Sequence, residues 1–446
     1  MNELLTRTGP NTPMGQALRR YWLPAALSAE LPQPDGPPVR LRIMHEDLLA
    51  FRDTKGALGI VQAYCPHRLA PLFYGRNEEC GLRCPYHGWK FDVSGKCVDM
   101  PNVSSGDQAR MRDRAKLTSY PVREAGGIVW IYMGPKEHEP EFPRFEFTQL
   151  PSDQVYAMRW LQRTNWMQGV EGEIDSTHIS FLHKHFDQAT NPVKGGGSEL
   201  AQDGAPEITL RPTDYGFTYG ARRKYGDQFY WRVTQWMAPM FSLIPRLPGE
   251  YIAGGGRAWV PVDDDHVITF HYYFRVDHAI DEEDRKLIDS GVAFPPRLTR
   301  GTYSLSNGSV IDTYLPVANK ENDYLVDRDR QRNVNFSGIW GANEQDRALQ
   351  ECMYSVGPHS PGTVDRSLEN LVSSDIAVVT ARRRLIELAQ AIAAGHPPTL
   401  PTGGEAFGVR AISKLSEIDK FDDLIARFGD ETRAPDHAKQ RNKASA

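Results

Sequence analysis

CPHRLAPLFYGRNEECGLRCPYHGWKFD, residues 65–92, sets two cysteines and two histidines in alternating pairs, Cys65 with His67 and Cys84 with His87. Written out, the pattern is Cys-x-His, sixteen residues, then Cys-x-x-His. Two thiolates and two imidazoles would satisfy one tetrahedral ion, so a structural zinc site is one reading. Common zinc modules, however, group both cysteines in one short knuckle and both histidines in another. Here each knuckle supplies one of each, which suits two metal ions, one taking the cysteines and the other the histidines. Ligand order therefore favours a two-iron cluster. Cys80, Cys97 and Cys352 fall outside the pattern and read as ordinary thiols.

The order of ligands, with CPHR and CPYHGWKFD around them, resembles a Rieske [2Fe-2S] centre. Neutral imidazoles in place of two thiolates leave such a cluster less negative and raise its potential. It can then accept an electron from a biological reductase.

At 446 residues the chain has room for two or three domains, so a lone metal knuckle is excluded. With 40% hydrophobic and 24% charged residues and a net charge of -5, it reads as a soluble globular protein with no leaning toward nucleic acid. No run approaches the ~18 apolar residues of a membrane span, and MNELLTRTGPNTPMG lacks the plan of a signal peptide. A cytoplasmic location is expected. Five cysteines are too sparse and odd a set for a disulfide framework.

Residues 1–38 read as a helical lead-in, with a helix over 13–22 and prolines at 24, 32, 34, 37 and 38 breaking its continuation. From Val39 the texture is strand and turn: VRLRIM, DLLAFRD, the turn DTKG, LGIVQAY and later GIVWIYMG. An all-β module over 39–135 is expected, followed by PKEHEPEFPRF as a linker. A second module over 146–430 offers strands GFTYGARRKY, QFYWRVTQWM and HVITFHYYFRV, and helices over 283–290 and 374–394. Strands and helices in segregated runs predict an α+β domain, an antiparallel sheet flanked by helices. Residues 431–446 read as a polar, disordered tail.

The second module also holds NWMQGVEGEIDSTHISFLHKHF, residues 165–186. Asp175 and His178 share a helix face, but His178 and His183 are five apart, about 140° on a regular helix. A straight helix cannot aim both imidazoles at one ion; a helix end or a π-bulge between them can. His185 would lie about 10 Å along the axis from His178, too far to share an ion.

Behind a Rieske module, Asp-x-x-His-x-x-x-x-His resembles the Rieske non-haem iron oxygenases, and among them the phthalate-dioxygenase-like branch that includes O-demethylases and N-dealkylases. The resemblance covers roughly residues 14–390 and implies that His178 and His183 bind a mononuclear Fe(II). A third ligand is expected from GIWGANEQDRALQE, with Asp346 favoured, Glu344 pointing elsewhere and Glu351 in reserve. The family also implies a ring of three chains, or pairs of such rings. In it Asp175 would bridge His178 to a neighbour's His87 and carry electrons across the subunit boundary. Glu171 departs from the polar amide usual at its position, and a solvated role and one near the iron are both open.

No flavin or dinucleotide fingerprint is present, so electrons are expected from a separate NADH-dependent reductase, with FMN and a ferredoxin-type cluster of its own as in this branch. The pocket would draw on Trp236, Met237, Phe241, Ile244 and Trp259 for an aromatic body. Arg211, Arg223, Arg232, Arg246 and Arg257 are available for a carboxylate. Reaction with O₂ is expected to oxidise an aromatic substrate, by monooxygenation with O- or N-dealkylation or, alternatively, by ring cis-dihydroxylation. A Rieske electron carrier is the non-enzymatic alternative, but it would leave the residues from 175 to 346 without a task.

Overall fold

The structure, a computed structural model, describes residues 2–187, 203–245, 254–291, 295–357 and 360–437. The chain opens on helices Asn2–Thr6 and Pro13–Leu18, the second capped by Thr12, whose hydroxyl accepts from the Gly15 amide at 3.1 Å. The expected helix over 13–22 ends at Leu18. Trp22–Leu27 is instead a buried strand, paired antiparallel with Ile128–Tyr132. Pro24, which lacks an amide hydrogen, sits where that pairing shifts register. Part of the supposed lead-in thus belongs to the β structure.

Strands Val39–Ile43, Glu46–Arg52, Leu58–Gln62 and Ser119–Tyr120 form one antiparallel sheet. A smaller sheet of Arg76–Glu78, Gly81–Arg83, Lys90–Phe91 and Cys97–Asp99 stands beside it. Leu49, Phe51, Val61, Leu72, Leu82 and Phe91 make a core between them, separate from the main one and closed around Cys65 and Cys84. At roughly 1.5–3 kcal/mol per buried large apolar side chain, such a core can fix two short metal knuckles.

The turn Met44–His45 has positive φ at both residues (45° and 71°), a conformation that costs on the order of 1 kcal/mol or more for a non-glycine residue. Docking offsets the strain: the Met44 and His45 amides donate to Pro261 O and Val262 O, at 2.8 and 2.9 Å, and His45 Nε2 meets Asp264 Oδ1 at 3.0 Å. The turn thereby fastens the first sheet to the second half of the chain.

That half is built on an eight-stranded antiparallel sheet, ordered Val155–Gln162, Val267–Phe274, Gly254–Pro261, Phe241–Leu243, Gln228–Met237, Gly216–Tyr225, Glu207–Pro212, with Ile412–Ser416 also paired to Gln228–Met237. GFTYGARRKY and QFYWRVTQWM form a hairpin whose loop is Gly226 and Asp227, with Gly226 at φ +58° as a two-residue turn requires. Helix Trp166–Ile174 packs on Gly254–Pro261, and so closely that a Cβ on Gly169 would stand 2.2 Å from the Trp259 ring. Helix Ile376–Ala393 covers the N-terminal helices.

The expected linker and tail are both more ordered than their composition suggests. Tyr132 Oη donates to His138 O at 2.8 Å, Trp22 Nε1 donates to Pro140 O at 3.1 Å, and Phe145 is buried. In the tail, Arg433 bridges to Val409, and His437 Nε2 meets the buried Glu146 at 2.7 Å. Residues 438–446 lie outside the described residues. No helix among the described residues is long and apolar enough to cross a membrane.

Candidate metal centres

The two knuckles have one design. Cys65 N donates to Ala70 O at 2.9 Å and Leu69 N returns to Cys65 O at 2.9 Å; Cys84 N donates to Trp89 O at 2.8 Å and Gly88 N returns to Cys84 O at 3.0 Å. Four residues after each cysteine the backbone turns left-handed, at Leu69 (φ +57°) and Gly88 (φ +76°). Both cysteines are buried, and burial followed by the adjacent Cys84 sulfur pushes the Cys65 thiol up to about 12. The two imidazole rings lie together, centroids 4.4 Å apart, with His67 stacked on Trp89.

The quartet is therefore sorted, sulfur beside sulfur and imidazole beside imidazole. Among the described residues the only His, Cys, Asp and Glu atoms that converge within 4.8 Å as a group of three or more are those of His178, His183 and Asp346. Cys65, His67, Cys84 and His87 do not surround one point, as a single zinc ion would require. His87 Nδ1 is buried with no hydrogen-bond partner, an orphaned lone pair that a metal ion would satisfy. These features fit a two-iron cluster.

The second constellation arises where a helix stops. Trp166–Ile174 ends at Asp175, whose backbone turns extended, and a new one-turn helix, Ile179–Leu182, starts four residues later. His178 and His183 cap its two ends, so the break, not a π-bulge, brings their rings to 5.2 Å between centroids. Asp346 comes from helix Ala342–Gln350. Its Oδ1 lies 3.5 Å from His178 Nε2 and 3.2 Å from His183 Nε2.

The far edge of each ring is held as well. His183 Nδ1 meets Gln345 Oε1 at 2.6 Å, and the Gln345 amide donates to Ile339 O at 2.9 Å. His178 Nδ1 faces Asp175 Oδ2 at 3.5 Å, while Asp175 Oδ1 accepts from the Thr177 amide (2.8 Å) and hydroxyl (2.5 Å). These partners turn both Nε2 atoms toward one point.

Burial would lower the His178 pKa, but Asp175 and Asp346 outweigh it and push the imidazole up to about 10. Burial likewise opposes ionisation of Asp175, yet the bonds from His178 and Thr177 hold it down at about 2. Asp346 is driven lower still by His183 and His178. The histidine side chains supply the positive charge that keeps both carboxylates ionised, a role that a divalent ion between the rings would take over. Two imidazoles and one carboxylate are the donor set of a facial Fe(II) site.

The neighbouring candidates fall elsewhere. Glu344 is fully buried against Arg297 at 3.3 Å. Glu351 accepts from Arg347 at 2.9 Å and from Tyr324 at 2.8 Å, so the reserve candidate stands outside the trio. His185 forms an isolated bridge with Asn335. Glu171 is neither solvated nor beside the trio: it is clamped by Arg366 at 2.8 Å and Arg382 at 2.6 Å, tying the iron-site helix to Ile376–Ala393. Glu171→Gln would leave the Arg366 guanidinium buried without its carboxylate. A loss of about 3 kcal/mol is expected, read as a lower urea midpoint; an unchanged midpoint would show the carboxylate to be dispensable.

Strand register sorts the pocket candidates. Trp236 and Arg232 share with Arg223 the sheet face whose Arg223 reaches Ser176, while Trp259 meets the helix Trp166–Ile174. Met237 and Phe241 belong to the opposite face, where Phe241 packs on Phe145 at 5.0 Å and near Phe407; they are core and not pocket. Their misplacement is a parity effect, since neighbouring residues of a strand point to opposite sides. Ile244 is half-buried just beyond its strand. Arg211 pairs outward with Asp422, Arg257 is buried against Glu173, and Arg246 lies outside the described residues. Gln345 was not foreseen: it is one residue before Asp346, but no spacing rule marks it.

Comparison with known proteins agrees with both centres. The family model described as Rieske [2Fe-2S] domain matches residues 21–121, and the one described as LigXa C-terminal domain like matches residues 131–408. The chain belongs to the Rieske non-haem iron oxygenases. This oxygenase is 38% identical over 412 residues to the 3-chlorobenzoate-3,4-dioxygenase oxygenase subunit of Comamonas testosteroni, covering 90% of each chain. It is 37% identical over 444 residues to the phthalate 4,5-dioxygenase oxygenase subunit of Pseudomonas putida, covering 96% of this chain and 94% of the relative. It is also 34% identical over 281 residues to the 5,5'-dehydrodivanillate O-demethylase oxygenase subunit of a Sphingobium strain, covering 61% of this chain and 62% of the relative. All three are named as oxygenase subunits, and the cofactors of such a chain are a Rieske cluster and a mononuclear non-haem iron.

Proposed function

We propose that this oxygenase oxidises a small aromatic substrate with O₂, drawing electrons from a separate NADH-dependent reductase. In this assignment Cys65 and Cys84 hold one iron of the cluster and His67 and His87 the other, while His178, His183 and Asp346 hold the mononuclear iron. The cluster module spans 39–135, joined by the strand Trp22–Leu27, and the iron module begins near 146. The convergence of both Nε2 atoms on Asp346 Oδ1 carries this reading. When bound, the mononuclear iron supplies O₂ activation and the cluster supplies electrons.

The chain's own residues set the geometry. Gln345 accepts the Nδ1 proton of His183 and Asp175 faces that of His178, so each ring keeps its Nε2 lone pair for the metal. Trp236 and Trp259 share the sheet face that the helix Trp166–Ile174 covers, and we assign them as the aromatic surfaces that would meet an aromatic body.

Two outcomes at the substrate each have a relative behind them. Hydroxylation at a carbon next to oxygen or nitrogen gives an unstable product that sheds an aldehyde, and the O-demethylase supports this route. Ring cis-dihydroxylation is supported by the two relatives aligned over nine-tenths or more of the chain, both named dioxygenases. Incubation of the oxygenase with reductase, NADH and O₂ on methoxylated and N-alkylated aromatics is expected to release formaldehyde in step with NADH consumption. A cis-diol with no aldehyde would sink dealkylation in favour of dihydroxylation, and neither product from any aromatic would sink the proposal.

A further inference from the structure

The side-chain amide of Gln345 holds His183, and the helix that carries Gln345 does not set which way that amide faces. Rotation about the last side-chain bond exchanges its oxygen and its NH₂, and only neighbouring groups tell the two senses apart. The neighbour here is the Ile339 carbonyl, which can only accept. Gln345 Nε2 donates to it at 2.9 Å, so Oε1 is the end left for His183 Nδ1, at 2.6 Å. With the amide reversed, two oxygens would face each other at Ile339 and an NH₂ donor would meet His183 Nδ1. The ring proton would then belong on Nε2, the atom aimed at Asp346.

Ile339 lies outside the helices that carry the trio, in the loop that leads into Ala342–Gln350. Its carbonyl is held by Asn335, 1% exposed, whose Nδ2 donates to Ile339 O at 2.9 Å and whose Oδ1 accepts from the Gly338 amide at 2.7 Å. Gly338 has φ +77°, and a Cβ there would stand 2.5 Å from Asp327 O, so the loop leaves no room for a side chain at that point. The Asn335 backbone is tied at the same time to the chain just beyond His183. His185 lies opposite it, the Phe186 amide donates to Val334 O and the Phe336 amide to Lys184 O, each at 2.9 Å. The bonds close a ring, from His183 along residues 184–186 to Asn335, Ile339 and Gln345 and back to His183. The Asn335 side chain enters it through the loop alone, since its two bonds go to Ile339 and Gly338.

We propose that Asn335 is a positioning residue for the mononuclear iron: by holding the Ile339 carbonyl it fixes the sense of the Gln345 amide, which keeps His183 turned with Nε2 toward Asp346. This rests on the reading of His178, His183 and Asp346 as the iron ligands. Ile339 O accepts one donor from Asn335 and one from Gln345, so losing the first bond frees the carbonyl to tilt away from the second. The outer partner of a metal-binding imidazole sets its orientation and basicity, and Asn335 acts one step further out, through that partner.

Anaerobic Fe(II) titration against a chromophoric chelator, on full-length enzyme stripped of its mononuclear iron but retaining the cluster, reads the site apart from turnover. Asn335→Ala is expected to weaken Fe(II) binding about 10- to 100-fold with the cluster spectrum unchanged. Gly338→Ala, which displaces Ile339 from the other side, is expected to do the same, and it decides the matter if Asn335→Ala does not fold. In a Gln345→Leu chain, which has already lost the amide, neither substitution should weaken binding further, whereas a merely structural Asn335 would give losses that multiply. Unchanged Fe(II) affinity in either folded variant, or multiplied losses in the double variants, would overturn the inference. Wild-type enzyme that takes up no Fe(II) beyond its cluster would overturn the trio and this inference with it. Normal Fe(II) uptake without oxidation of any aromatic would count against the proposed reaction and leave the role of Asn335 standing.

Discussion

His178→Ala is expected to abolish turnover, by more than about 10³-fold, and to leave the visible spectrum of the cluster unchanged. The two centres are separately supported, which is why the effects should divide. Cys65 and Cys84 sit in the core of Leu49, Phe51, Val61 and Phe91, whereas His178 caps a one-turn helix against Asp346. Removing one imidazole leaves His183 and Asp346, too few ligands to retain Fe(II) against dilution, so iron should fall from about three to about two per chain with sulfide unchanged. Asp346→Asn should behave alike, because a neutral amide leaves the imidazoles without their anionic partner. Loss of the cluster spectrum in either variant would show the assignment of the two sites to be wrong.

How far these sites were legible in the sequence follows the distance over which each is specified. The knuckles of residues 65–92 close through bonds between residues four or five apart, so their order alone distinguished a cluster from zinc. The strands GFTYGARRKY and QFYWRVTQWM appear at their expected bounds because hairpin pairing and alternation are local. The helix break at Asp175 was visible only as a conflict, two histidines 140° apart on a regular helix; the structure resolves it by ending the helix.

Long-range partners left no such trace. Glu171 is clamped by Arg366 and Arg382, nearly 200 residues and more away, and composition alone could not distinguish it from a solvated glutamate. The strand Trp22–Leu27 has its partner a hundred residues later, so RRYW reads as the end of a helix and LPAAL as a proline-broken lead-in until Ile128–Tyr132 is placed beside them. Met237 and Phe241 were assigned to the pocket by composition, but strand parity, fixed only by register, turns them to the other face.

Two inactive variants are expected to restore activity when they assemble together. Cys84→Ser should lack the cluster and keep the iron trio, and His178→Ala the reverse, so neither turns over alone. The ring of chains that the family resemblance implies would send electrons from the cluster of one subunit to the iron of the next. His87 Nδ1 is buried, so the opposite ring edge, with Nε2, is the one available to another chain. Tyr86 and Leu69, at the knuckle tips, are 54% and 70% exposed, and Phe181 and Phe336, near the trio, 55% and 51%, apolar surfaces suited to meeting across a subunit boundary. Asp175, with one oxygen held by Thr177 and the other only 3.5 Å from His178, keeps acceptor capacity for a second imidazole. Co-expression of the two variants with different tags, followed by double-affinity purification, should therefore yield mixed assemblies with measurable turnover. Asp175→Asn should remove that turnover when placed in the Cys84→Ser chain, which carries the working iron site, and have little effect in the His178→Ala chain, whose iron site is already lost. No activity in assemblies shown to contain both chains, or an equal effect of Asp175→Asn in either, would rule out transfer between subunits through this aspartate.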